Sequence, residues 1–151
     1  MIWGMGIPPV LIYGGASMDT SQLKNMVRVG IVSSVNGPAC TARVTFPDKD
    51  NMVSAELPVL QLGSYGTKGY CVPEVNTKVV CLFLPNPSGN GMNAGFIIGA
   101  YYSGDKPPAE SDASVRSVRF PDGSLIQYDN GTITISAAKK IVLKAPVINI
   151  N

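Results

Sequence analysis

From Gly123 onward the sequence falls into a period of eight: GSLIQYDN, GTITISAA, KKIVLKAP and a partial block VININ. The third and fifth positions of the full blocks are Leu125 and Gln127, Ile133 and Ile135, Ile141 and Leu143, and five of these six are large aliphatics. Gly123 and Gly131 open the first two blocks directly after Asp122 and Asn130, where a tight turn with positive φ favours glycine. Alternation inside each block is the mark of a strand with one covered side. In the partial block the same positions fall on Asn149 and Asn151, so either the register slips by one after Pro146 or the inward positions become polar. Strands this short bury too little to stand alone. Each ordered residue costs roughly 1–2 kcal/mol of backbone entropy, and only five of the 29 residues from Gly123 onward are repeat aliphatics that would each return the roughly 1.5–3 kcal/mol of a buried Leu or Ile. Two folds answer this: an antiparallel meander packed on another domain, or several copies wound together. The second shares one core and satisfies the strand edges as well, and it is the expectation here.

The end of the sequence, KAPVININ, sharpens the point. Chain ends are commonly polar and frayed, yet Val147, Ile148 and Ile150 lie within the last five residues. They are expected to be covered.

Upstream, sixteen Gly and twelve Pro among 151 residues, with many Val, Ile and Thr, predict strands joined by tight turns and argue against long helices. A short helix is predicted near MDTSQLKN, with Asp19 or Thr20 as its cap. Strand signals then begin at Val27. VRVGIVSSV alternates Val27, Val29 and Ile31 against Arg28, Gly30 and Val32, and Gly37-Pro38 turns it into TARVTF. FPDKDNM is a polar turn, VSAELPVLQL a further strand, and GSYGTKG a glycine-rich loop. KVVCLFL reads as a buried strand because it is continuously apolar, and AGFIIGAYY closes the series after the loop PNPSGNGMN. Five strands over this length, with glycine where they bend, predict a small Greek-key barrel of the OB type. SGDKPPAESDAS, with two Pro and four charges, reads as a linker. The boundaries are an N-terminal arm over 1–26, a barrel over 27–103, a linker over 104–115 and a β repeat over 116–151.

Composition removes several functions. The chain has no histidine, which takes away the commonest general base, the Ser-His and Cys-His nucleophile pairs and the commonest transition-metal ligand. Cys40, Cys71 and Cys81 lack metal-ligand spacing and read as ordinary buried thiols of a reduced compartment. Asp48 with Asp50, or Asp122 with Asp129, could act as paired carboxylates, but both pairs stand in turn contexts where Asp bonds its own backbone. The Asp48–Asp50 loop also lacks the ligand count of a calcium site. No catalytic residue, metal or cofactor is therefore expected. The alternative is an OB module for single-stranded nucleic acid, stacking bases on Tyr65, Tyr70, Tyr101 and Tyr102. Against it, 27–103 holds five basic residues (Arg28, Arg43, Lys49, Lys68, Lys78) and four acidic ones (Asp48, Asp50, Glu56, Glu74), and the whole chain is only +2, so no basic track stands out. The opening MIWGMGIPPVLIYGG lacks the basic start of a secretory signal and is too broken to span a bilayer. It reads either as a disordered arm or, as expected here, as a segment docking on a partner through Trp3, Ile7, Val10, Leu11 and Tyr13.

The order VRVGIVSSV, ARVTFPD, VSAELPVLQLG, VPEVNTKVVCLFL, GFIIGAYYSGDKPP and FPDGSLIQYD, with a β repeat behind it, resembles the phage baseplate assembly protein V family. These are the central spikes of contractile tails and tailocins, related to the spike part of type VI secretion VgrG proteins. The resemblance implies an all-β homotrimer with an OB-type collar and a short intertwined triple-stranded β-helix, attached to the baseplate hub. It implies assembly in the host bacterial cytoplasm and final residence in the particle's tail baseplate, with the target membrane met on contraction and no nucleic acid bound. In that frame Leu125, Ile133, Ile135, Ile141 and Leu143 form the trimer core, Lys139, Lys140 and Lys144 lie outside, and Ile148, Asn149, Ile150 and Asn151 form the tip. Members with a self-made tip bind iron through a histidine pair, which this chain lacks. No lysozyme-like domain fits between barrel and repeat. The tip is expected to close on itself or to receive a separate PAAR-like cap.

Overall fold

The computed structural model describes residues 20–86 and 92–151. Trp3, Ile7, Val10, Leu11 and Tyr13, expected to dock on a partner, lie outside the described residues. One short helix, α1 (Thr20–Met26), leads into β1 (Val27–Asn36), β2 (Thr41–Phe46), β3 (Met52–Val53), β4 (Leu57–Pro58), β5 (Lys78–Pro85) and β6 (Met92–Ala100). After them come β7 (Arg116–Arg119), β8 (Leu125–Asp129) and β9 (Thr132–Ser136). The chain separates into two compact units, 1–105 and 106–151.

In the first unit β1 pairs antiparallel with β2 on one side and β5 on the other, β5 pairs with β6, and β2 also pairs with β3 and β4. Val59, just past β4, bridges Ile97 of β6 in parallel, and the Leu60 amide donates to the Ile97 carbonyl at 2.9 Å. The neighbour relations thus run in a closed circuit, which leaves fewer bare strand edges. The β1–β2 turn lies at the expected Gly37-Pro38, with the Cys40 amide donating to the Gly37 carbonyl at 3.1 Å and Cys40 itself at φ 54°. VSAELPVLQL is not one strand. It breaks into β3 and β4 at Ser54, whose amide still donates to the Val44 carbonyl of β2 at 2.8 Å but whose Oγ, in place of its carbonyl, accepts from the Val44 amide at 3.0 Å.

The core consists of Val32, Ala42, Val44, Phe46, Leu57 and Val79 with Cys81 and Ile97, and half-buried Val59 and Phe83 pack against it. Its composition corrects the reading of β1. The inward side of that strand carries Arg28, Gly30 and Val32, whereas Val27 and Val29 are 57% and 52% exposed. Gly30 is inward because β2 crosses so close that a Cβ there would stand 2.4 Å from Val44 Cγ1 and 2.7 Å from the Thr45 carbonyl oxygen. Arg28 is tolerated because its guanidinium lies over the Phe46 and Phe83 rings, at 5.6 and 5.7 Å, and donates to Asn25 Oδ1 at 2.7 Å, a cation–π arrangement with one polar anchor.

Two further expectations change. In β5 only Val79 and Cys81 are buried; Val80 and Leu82 are half-buried on the opposite side and Leu84 is exposed. The continuous apolar run is therefore covered on one face only within a single chain. Of the three cysteines only Cys81 is buried, Cys40 is intermediate and Cys71 exposed, and burial pushes the Cys81 thiol up to about 11.

The second unit is a meander in the order β7-β8-β9. Asn130 (φ 43°) and Gly131 (φ 87°) make the β8–β9 turn, a pair of positive φ values that Asn-Gly accommodates readily. Gly123 (φ 87°) serves the β7–β8 connection, where the Phe120 amide donates to the Ser124 carbonyl at 2.9 Å.

Candidate assembly interface

Residues opposite one another in an antiparallel pair project from the same face. Val118, Ile126 and Ile135 are partners across β7, β8 and β9, and Tyr128 with Ile133 sits next to them on the same side. The reverse face carries Ser117, Gln127 and Thr134, followed by Arg119, Leu125 and Ser136. One face is thus apolar apart from Arg116, which pairs with Tyr128 at its edge, and the other is largely polar. The apolar side chains are nonetheless 46–71% exposed. Isolated apolar residues on a surface are ordinary, but a contiguous set of this kind marks a contact.

The absence of an interior is more telling. No residue of 106–151 is buried, and every residue from Asn130 to Asn151 is exposed. Beyond β9 the chain forms no strand within itself; its last hydrogen bond runs from the Ala138 amide to Ser124 Oγ at 3.0 Å. Ile141, Leu143, Ile148 and Ile150 are exposed there, as are Asn149 and Asn151. A backbone without partners is a surface that something else completes.

Within the chain the register sets Leu125 apart from the two isoleucines of β9. Leu125 pairs with Ser136, not with an isoleucine, and lies on the face opposite Ile133 and Ile135. The reason is geometric. A two-residue turn brings together residues an odd number apart, whereas an octad separates equivalent positions by an even number, so the repeat's inward set is split across the two faces. Ile126, not Leu125, shares the face of Ile133 and Ile135. The alternation of Ile126 and Tyr128 with Leu125 and Gln127 was the signal available in the sequence, and the eight-residue frame obscured it.

Local charges fasten the start of this unit. Arg119 donates to Glu110 at 2.8 Å, and that hydrogen bond holds the Glu110 carboxyl below its usual range. The backbone amides of Ser114 and Ser124 donate to Asp112 and Asp122, at 2.8 and 2.9 Å, and lower both carboxyls. Asp129 accepts from the neighbouring Asn130 side chain at 3.0 Å. Asp122 and Asp129 thus bond locally as turn residues do, while Asp48 lies within an exposed single turn of 3-10 helix (Pro47–Lys49) and Asp50 caps its end. Lys139, Lys140 and Lys144 are exposed. In the first unit, Asp105 is held at about 2 by hydrogen bonds from the Ser103 hydroxyl and from Lys78, whose Nζ is 3.0 Å away.

The loop between β4 and β5 is tied at its base. The Gln61 amide donates to the Cys71 carbonyl and accepts from the Cys71 amide, both at 2.8 Å, and the Gly69 amide donates to the Gly63 carbonyl at 2.8 Å. An open cavity of about 300 Å³ lies between this loop and Ile98. Tyr65, Tyr70 and Tyr102 are well exposed and Tyr101 less so; Tyr70 donates to the Gly37 carbonyl at 3.3 Å.

The chain is thus nearly all-β, with a core in its first unit and an apolar, uncovered sheet face in its second. Over 119 residues it is 29% identical to the "Spike protein" of Escherichia phage P2, covering 78% of this chain and 53% of that protein. The resemblance to phage baseplate spikes read from the sequence is borne out by this match. The chain spans about half the length of that curated relative. No protein-family model matches it.

Proposed function

We propose that the chain is the structural central spike of a contractile tail or tailocin baseplate, acting as a homotrimer. The observation that carries this reading is the second unit: 46 residues, 106–151, without one buried side chain. Three copies of its sheet, each turning Ile126, Ile133 and Ile135 toward a common axis, would enclose the missing core, and the segment 137–151 with Ile141 and Leu143 would wind on as the intertwined β-helix. Ile148, Asn149, Ile150 and Asn151 lie distally along that prism, as far as this sequence runs. The strand circuit of the first unit, closed by the parallel Val59–Ile97 bridge, supports reading it as an OB-type collar.

The role is mechanical. Force from a contracting sheath reaches the collar, and an interlocked prism transmits it along its axis through the target envelope. Rigidity is the requirement, and no catalytic residue takes part. The segment holding Trp3, Ile7, Val10, Leu11 and Tyr13 docks on the hub in this reading, and a PAAR-like cap is a further candidate partner.

Light scattering of the full chain tests the proposal. The expected mass is three times the 15.9 kDa chain. Ile135→Asp, on the apolar face, should drop it to the monomer, while Thr134→Asp, one residue away on the polar face, should leave the trimer intact. A monomeric parent, or a trimer indifferent to Ile135→Asp, would sink the reading.

A further inference from the structure

The outside of the first unit's sheet is unevenly made. On β2 the outward positions are Thr41, Arg43 and Thr45, with Glu56 accepting from Thr41 at 2.9 Å and standing 4.0 Å from Arg43. That is an ordinary wetted surface. On β1, β5 and β6 the outward positions are Val27, Val29, Val80, Leu82, Phe96 and Ile98. No charge interrupts this face until Lys78, whose ammonium is engaged by Asp105. A continuously apolar strand such as β5 is the pattern of a strand covered on both sides, and among the described residues its outward side is only half covered.

The same unit carries a second apolar surface of opposite shape. In the 60–71 loop Leu62, next to the base closed by the Gln61–Cys71 pair of hydrogen bonds, is 104% exposed, and Tyr65, at the tip beyond the Ser64–Lys68 bridge, is 94% exposed. A loop tied this firmly loses little conformational freedom on docking, so its apolar tip is preorganised for a contact.

Resting on the trimer reading, we propose that the 60–71 loop of each copy seats Leu62 and Tyr65 on the outer β1–β5–β6 face of the next copy. A three-fold ring is closed by heterologous contacts, in which two different surfaces of the same chain meet, and this unit presents one broad face and one projecting tip. Size selects a second copy over an independent protein. Three strands about 4.8 Å apart and roughly five residues long at about 3.3 Å per residue make a face of a few hundred Å², well below the roughly 800 Å² per partner of a stable free-standing interface. Such a face is too small to hold a free partner. A neighbour already joined through the second unit meets it at an effective concentration in the millimolar range, where a small apolar contact suffices.

The test is photo-cross-linking of the full chain with benzoylphenylalanine at Leu62, a fully exposed position whose replacement leaves the core untouched. Isotopically heavy and light chains are co-assembled and their mass is checked by light scattering before irradiation. Covalent dimers and trimers are expected, with heavy-to-light adducts on peptides containing Val27–Val29 or Val80–Leu82, and Val29→Asp should remove those adducts while the mass stays trimeric. A trimer whose adducts fall within one chain, elsewhere, or nowhere overturns the loop-to-face contact and leaves the trimer standing. A monomer before irradiation overturns the trimer reading and this contact with it.

Discussion

Gly30→Ala isolates the closest approach in the collar. A Cβ at this position meets Val44 Cγ1 at 2.4 Å, the Thr45 carbonyl oxygen at 2.7 Å and Phe46 Cδ1 at 3.0 Å. The first contact could be eased by a side-chain rotation, but the second is with backbone held in the β1–β2 ladder through Ile31 and Thr45. Relief therefore requires the two strands to part at the centre of the core, beside fully buried Val32 and Val44. Forcing one methyl into a packed interior costs typically about 1–3 kcal/mol, and backbone involvement places this case near the upper end. At roughly 4–8 °C per kcal/mol for a domain of this size, the midpoint of thermal unfolding should fall by more than about 8 °C. Gly104→Ala is the matched control: nothing stands within 4 Å of its added Cβ, so a reduced unfolded-state entropy should leave stability unchanged or raised by up to about 1 kcal/mol. Both are read by circular dichroism melts and urea titrations of the full chain. Equal midpoints for the two variants would refute the claim that glycine is needed at position 30 for strand approach.

Asp105→Asn should flatten part of the acid response. The folded carboxyl titrates at about 2 against about 3.9 in an unfolded chain. Since the folded value is depressed, the contribution is present above the unfolded value and is lost as pH falls from about 4 toward about 2; melts of both forms across that window should converge at the acid end. Cys81, buried and with its thiol pushed up to about 11, should resist a thiol reagent at neutral pH until denaturant is added, and prompt labelling in the native chain would contradict its place in the core. Gly131→Ala forces a Cβ into the left-handed region at φ 87° and should cost about 1–2 kcal/mol, read as an earlier second-unit transition by hydrogen exchange of the β8–β9 amides.

The turns were the most legible part of the chain. Gly37-Pro38, Asp122-Gly123 and Asn130-Gly131 carry their backbone requirements in their residue types, and all three mark real connections. Strand faces were harder to read. β1 has valines on both sides, so Val27 and Val29 look like core until the close approach of β2 explains why glycine sits at position 30 and why Val32 is the buried member. The length of VSAELPVLQL suggested a strand because a single serine that bonds sideways has no signature in a hydropathy pattern. In the second unit the eight-residue frame was genuine as a spacing of turns, yet it joined Leu125 to Ile133 although hairpin pairing places Ile126 there instead. Periodicity along a chain and adjacency across a sheet are different relations, and only hydrogen bonding converts one into the other.

A sheet with no interior of its own also sets an order of events in time. The first unit has its core within one polypeptide and can consolidate as soon as it is made, whereas residues 106–151 gain nothing by ordering until other surfaces arrive. In the proposed trimer their folding is a reaction between molecules, with a rate that rises steeply with concentration and a melting point that shifts with dilution. Once the edges have been shared, escape of one strand requires several chains to open together, so dismantling becomes far slower than assembly. For the proposed spike that asymmetry is useful: it would be built from half-finished parts and would still refuse to come apart under load.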